Sequence, residues 1–303
     1  MNAHEQDSWI ALPTPVAYDA LVDPPHRDPK LKPDAQAVSA FAAANGWQYF
    51  VGAGSQPFPG VVFRDDRGRS RQLQRAGDIV RVPGPAALEI GNSASSFTVN
   101  LNQFSVEWGY AAVRLPFATP GLIVETARAR AETPLPALPG VSPSPIAGRP
   151  DAGSVYVAPE HAAWAAAVVT PELGALLTDD LAFDLEIVDG WLFLYHPGRL
   201  SVPDPAVWQR VFAVLEVVGR SLATAAPALP ALPAAASPAA GDGVAASAVP
   251  AAPAPERGAT SGAGLPVRDR SSDVTRTTNW TYYGIAGGVF VVLAATAFLF
   301  VGR

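Results

Sequence analysis

The chain contains no cysteine, which excludes disulfides, thiolate nucleophiles and cysteine-ligated metals together. Lysine is nearly missing: Lys30 and Lys32 are the only two, and the rest of the 21 basic residues are arginines. The net charge of −6 comes without a concentrated basic block, so a nucleic-acid partner has no electrostatic footprint to bind. Only four histidines occur, His4, His26, His161 and His196, and none is spaced with another or with a nearby acid as a metal site requires. There is no Gly-x-Ser-x-Gly elbow and no phosphate-cradling loop ending in Gly-Lys-Ser/Thr. Gly52-Ala53-Gly54 comes nearest, but Pro57 and Pro59 interrupt any helix that could follow it. No cofactor or metal is therefore expected. The first ten residues carry acids and lack both a basic and an apolar region, so a cleaved export signal is not expected either.

What the sequence does have is one long apolar run. Tyr282 to Val301 is 20 residues without a charge, about 30 Å as a helix, the hydrocarbon thickness of a bilayer. Trp280, Tyr282 and Tyr283 stand at its upstream end, where amphipathic rings favour the headgroup layer. The lipid bilayer is thus the first expected partner. Arg268, Arg270 and Arg276 precede the run and Arg303 follows it. The bias, with the missing export signal, predicts a single-pass, tail-anchored protein with its N-terminal domain in the cytoplasm. Gly284 and Gly288 lie four apart on one side of that helix, a spacing that lets two spans approach closely and suggests a homodimer.

The soluble part reads as α+β in two lobes. Residues 1–32 are punctuated by Pro13, Pro15, Pro24, Pro25 and Pro29 and are expected to be extended. A β-rich lobe over 33–131 opens with a helix from Asp34, its expected cap, to Gly46, its expected stop. Short apolar runs follow, predicting strands at 47–51, 61–64, 72–74, 79–82, 87–90, 97–101, 109–115 and 122–126, in an antiparallel sheet or small barrel. Residues 132–153 hold six prolines and no periodicity, which predicts an exposed connection.

An α+β lobe over 154–223 is better specified. It reads strand, helix, hairpin, helix. Thr170-Pro171-Glu172 opens a helix with a capping hydroxyl, a proline at the first position and an acid in the first turn. Asp189-Gly190 supplies the positive-φ pair of a tight type I′ turn. The hairpin this implies places Val188 opposite Trp191, Ile187 opposite Leu192 and Leu185 opposite Leu194. One face is then wholly apolar, and the helix starting at Asp204-Pro205 is expected to cover it. The other face mixes Asp184 and Glu186 with Trp191, Phe193 and Tyr195, a half-exposed surface and the one candidate binding face. Residues 224–279 are rich in Ala, Pro, Gly and Ser and read as a disordered tether reaching roughly 30–40 Å. Residues 280–303 form the anchor.

Ala87–Asn92, Trp108–Pro116, Thr170–Leu177 and Phe183–Tyr195 resemble segments of a family of uncharacterised actinobacterial membrane proteins. The resemblance runs from about Phe41 to Leu222, and its stretch from Thr170 to Tyr195 is also similar to a wider bacterial domain of unknown function. It implies membrane association and carries over no activity, ligand or catalytic residue. Two readings follow. One is an interaction or scaffold module held at the membrane, with an unidentified protein partner; the other is a membrane-tethered enzyme with a cleft between the lobes. The acid pairs Asp65-Asp66 and Asp179-Asp180 fall in predicted turns and add no catalytic constellation.

Overall fold

A computed structural model describes residues 15, 17–25, 30–53, 58–64, 74–84, 86–99, 102–225 and 267–269. The run at 282–301, with Gly284 and Gly288, lies outside the described residues, as do Asp65 and Asp66. Among the described residues no helix is long and apolar enough to cross a membrane.

Strands β1 (Gln48–Ala53), β2 (Gln74–Val82), β3 (Leu88–Val99) and β4 (Asn102–Arg114) follow one another as an antiparallel meander. Next come β5 (Leu122–Thr126), helix α1 having preceded the meander at Asp19–Val22 and α2 at Pro33–Ala44. Helix α3 (Ala127–Glu132) leads to β6 (Ala137–Pro139), β7 (Ser144–Ile146) and β8 (Arg149–Val157). Helices α4 (Ala162–Val168) and α5 (Pro171–Leu177) precede the hairpin β9 (Asp184–Val188) and β10 (Trp191–Pro197), and α6 (Pro205–Ala225) closes the fold. One nine-stranded sheet results, in the order β1-β2-β3-β4-β10-β9-β5-β8-β7, antiparallel at every pairing.

This order changes the two-lobe reading. The hairpin pairs through β10 with β4 and through β9 with β5, so both expected lobes build the same sheet. The reason is backbone hydrogen bonding. A free hairpin leaves the outer N–H and C=O groups of both strands unpaired, and a buried site for them requires a strand on each side.

Alternation along the central strands gives the sheet two buried faces. On the first, Leu122, Val124, Leu185, Ile187, Leu192 and Leu194 join one core with Trp208, Val211, Leu215, Val218 and Leu222 of α6, as the spacing of that helix predicts. Phe41 of α2 packs on Trp208 (ring centroids 4.9 Å) and on Trp47 (5.4 Å), and Trp47 stacks on Phe212 (5.6 Å). The first and last long helices therefore share this face. The Thr170 hydroxyl accepts the Leu173 N–H at 3.2 Å, the expected cap.

Five local expectations are corrected. Residues 19–22 form a helical turn, because Ala20 and Leu21 are buried against the core. Pro33 occupies the first position of α2, so Lys32 is its cap residue and Asp34 pairs with Arg199 instead. Residues 61–63 make a turn, with only Arg64 in a bridge. The stretch 132–153 is not an exposed connection: it supplies β6, β7 and the start of β8, and it buries Leu135, Ala137, Leu138 and Ile146. Finally, Val267–Asp269 of the expected tether forms β11, antiparallel to β6.

Candidate functional site

The hairpin turn carries the backbone its sequence demands, Asp189 at φ 49° and Gly190 at φ 72°. It sets the expected register: Trp191 opposite Val188, Leu192 opposite Ile187, Phe193 opposite Glu186, Leu194 opposite Leu185 and Tyr195 opposite Asp184. Asp184, Glu186, Trp191, Phe193 and Tyr195 therefore do share one face. That face is not half exposed. Asp184, Glu186, Phe193 and Tyr195 are buried, and only Trp191 is partly open.

The cover is the segment 58–64, which lies across the second face of the sheet. Phe58 meets Trp191 edge-on at 5.0 Å and Phe193 at 5.7 Å. Phe63 meets Tyr110 at 5.1 Å and Phe193 at 5.8 Å. Between these two rings the backbone must come down onto the sheet, and Gly60 permits it. A Cβ there would run into the Tyr195 hydroxyl and come within 3.0 Å of both Glu186 Oε2 and Phe193 Cε2. The cover is bonded as well as packed: Glu186 Oε2 accepts the Val61 N–H at 2.9 Å and the Tyr195 hydroxyl at 2.7 Å. A second lining, Leu135, Ala137 and Leu138, shares this core with Ile123 and Tyr156.

Burial governs the electrostatics. It pushes the Glu186 carboxyl up to about 7, against the lowering effect of its bonds to Tyr195 and Val61. Asp184 is raised well above the ordinary carboxylate range, first by burial and then by the nearby charge of Glu125, although Thr126 opposes this. Asp184 Oδ1 accepts the Thr126 N–H at 2.7 Å and its hydroxyl at 3.2 Å. Its Oδ2 is buried without a hydrogen-bond partner among the described residues. Glu125 stands at the next register position across β5 and β9 and is itself buried, with Arg130 Nη1 3.7 Å from its Oε2. Further along the sheet the Tyr110 hydroxyl donates to Glu89 Oε1 at 2.7 Å, and Arg81 Nε donates to Glu89 Oε2 at 2.8 Å.

Four carboxyls and several phenols thus sit on one face, but the hydrogen bonds of Asp184 and Glu186 run inward, to backbone, Thr126 and Tyr195, and those of Glu89 to Tyr110 and Arg81. Among the described residues no three His, Asp or Glu side chains converge as a metal site would need. His196 is half-buried beside Ala182, its Nδ1 3.0 Å from that carbonyl oxygen. Asp179 and Asp180 are exposed turn residues, with Arg128 3.6 Å from Asp180. Sequence reading missed Glu125 and Thr126. The alternation in Leu122-Ile-Val-Glu-Thr126 marks Ile123 and Glu125 as one face, but the pairing that sets this face beside Asp184 joins distant strands.

Fold and site together define an α+β protein built on one nine-stranded antiparallel sheet, helical on one face and closed on the other by residues 58–64 and 135–138. No protein-family model and no curated protein matches the chain. Among solved structures it is similar to the crystal structure of the mycobacterial trehalose monomycolate transport factor A, TtfA. The identity is 12%, the match covers 66% of this chain and 97% of that one, and the TM-score is 0.39. An overlap that loose carries no argument about this chain.

Proposed function

We propose that this chain is a membrane-tethered interaction module, held at the bilayer by 282–301 with its folded region in the cytoplasm. One observation carries the reading against that of an enzyme. The candidate reactive face is closed by 58–64, and Glu186 spends its polar capacity on the Val61 N–H and the Tyr195 hydroxyl that hold this cover down. Groups so used stabilise the fold, and recognition is left to the outer surface. The arginines at 268, 270 and 276 support the cytoplasmic orientation.

Two measurements test this. Protease added to intact spheroplasts should spare the folded region, and lysis should expose it; digestion before lysis would place the domain on the other side. Cross-linking of the full chain in living cells, followed by its purification, should recover it joined to protein. A chain that comes out uniformly alone would remove the interaction role.

A further inference from the structure

Resting on that reading, we propose that β1 is the interface and that its partner is a second copy of this chain, paired antiparallel about a twofold axis through Val51. The two edges of the sheet are treated differently. The far edge, β7, has three residues and includes Pro145, both devices that discourage strand addition. β1 has six residues, no proline and no charge. Among the described residues three large apolar side chains are exposed, Val22 at 73%, Phe50 at 37% and Val51 at 62%, and two of them are neighbours on β1.

This edge is also held rigid. The Arg81 guanidinium sits 4.7 Å over the Phe50 ring, and Arg81 is fixed in turn by Glu89, which Tyr110 fixes. On the opposite face the Tyr49 hydroxyl donates to Asp78 at 2.8 Å, and Asp78 pairs with Arg199 at 2.9 Å. An ordered strand loses little entropy on binding. The charged groups that touch its two rings, Arg81 and Asp78, are each paired with an opposite charge, Glu89 and Arg199.

The sequence of β1 suits its own reverse. A twofold axis normal to the sheet keeps each side chain on its own face, so odd positions meet odd and even meet even. Centred on Val51, Phe50 lies opposite Gly52 of the partner subunit and Tyr49 opposite Ala53 of the partner subunit. Each large ring faces a small residue. Confinement of both copies to one membrane raises their effective concentration and offsets the small contact area.

The absence of cysteine makes the test direct. In the full chain, in its membrane, a Val51→Cys variant places two thiols on the axis. Cross-strand Cα atoms there stand about 4.5–5.5 Å apart, inside the range a disulfide spans. Mild oxidation should give linked dimer at roughly tenfold the yield of Val22→Cys, a more exposed position off the strand. Equal yields, or no dimer, would overturn the proposal. In chains that also carry Gly284→Ile and Gly288→Ile, Val51→Glu and Val51→Lys should each abolish cross-linking of the chain to itself in cells, and their co-expression should restore it; no restoration refutes the twofold. If Val51→Cys stays monomeric while purification recovers a different protein, the second copy is wrong and the interaction reading stands.

Discussion

Replacing Glu186 by Gln tests whether the second face is sealed. Glu186 is 3% exposed, and its carboxyl lies at about 7 in the fold against the ordinary 4.5. The folded chain therefore holds this proton more tightly than the unfolded one. Stability contributed by the neutral acid is complete below pH 4.5, falls as pH rises, and is lost by about pH 7. A shift of this size corresponds to about 3 kcal/mol in all, with about 2–3 kcal/mol of it lost between pH 5 and pH 8. Glutamine keeps an oxygen that can accept both the Val61 N–H and the Tyr195 hydroxyl, but it cannot ionise. Urea unfolding of residues 1–225 should therefore give a Glu186→Gln variant that gains on the parent chain steadily from pH 5 to pH 8. Asp184 titrates in both proteins and cancels in the difference. Tyr195→Phe removes a donor to the carboxylate, so it should raise the Glu186 value further and carry the loss to higher pH. Parallel curves for the parent and Glu186→Gln would refute the reasoning, since the carboxyl would then be solvated and the cover open.

Three further outcomes are expected. Leu194→Asp and Tyr195→Asp should both unfold residues 1–225, each costing more than about 4 kcal/mol by burying an unpaired charge; a native circular dichroism spectrum for Tyr195→Asp would mean that 58–64 yields. Gly60→Ala should cost about 1–3 kcal/mol through its clash with the Tyr195 hydroxyl, and an unchanged urea midpoint would show that the cover is not closely apposed. In a two-reporter membrane assay on residues 276–303, replacing Gly284 and Gly288 with Ile should abolish self-association, and an unchanged signal leaves that spacing without a role.

Local chemistry was the legible part of this fold. Asp189-Gly190 specified the hairpin register, Thr170-Pro171 the start of α5, and the spacing from Trp208 to Leu222 the buried stripe of α6. What escaped was set by partners far away in sequence. Val61–Phe63 has the composition of a strand, yet Gly60 and the Glu186 carboxylate hold it as a turn. The prolines of 132–153 suggested exposure, whereas Leu135 and Leu138 had an apolar face to fill. The candidate face was correctly grouped from alternation, because period two needs no tertiary knowledge. Its burial could not be foreseen, because the segment that covers it comes from the other end of the domain.

The place of the hairpin in the sheet has a consequence for biosynthesis. β4 and β5 are successive strands in the chain but not in the sheet: β10 and β9 lie between them. Three strand spacings separate β4 from β5, about 14 Å, and the material that fills this gap is translated after every other strand of the sheet. Until residue 197 leaves the ribosome, two bare edges face an empty slot, and neither half can complete its hydrogen bonding. Such nonlocal closure slows folding and leaves nascent strands open to wrong pairings. Maturation of this protein is therefore governed by the arrival of one hairpin, and a chain cut short before residue 184 keeps both of these edges open.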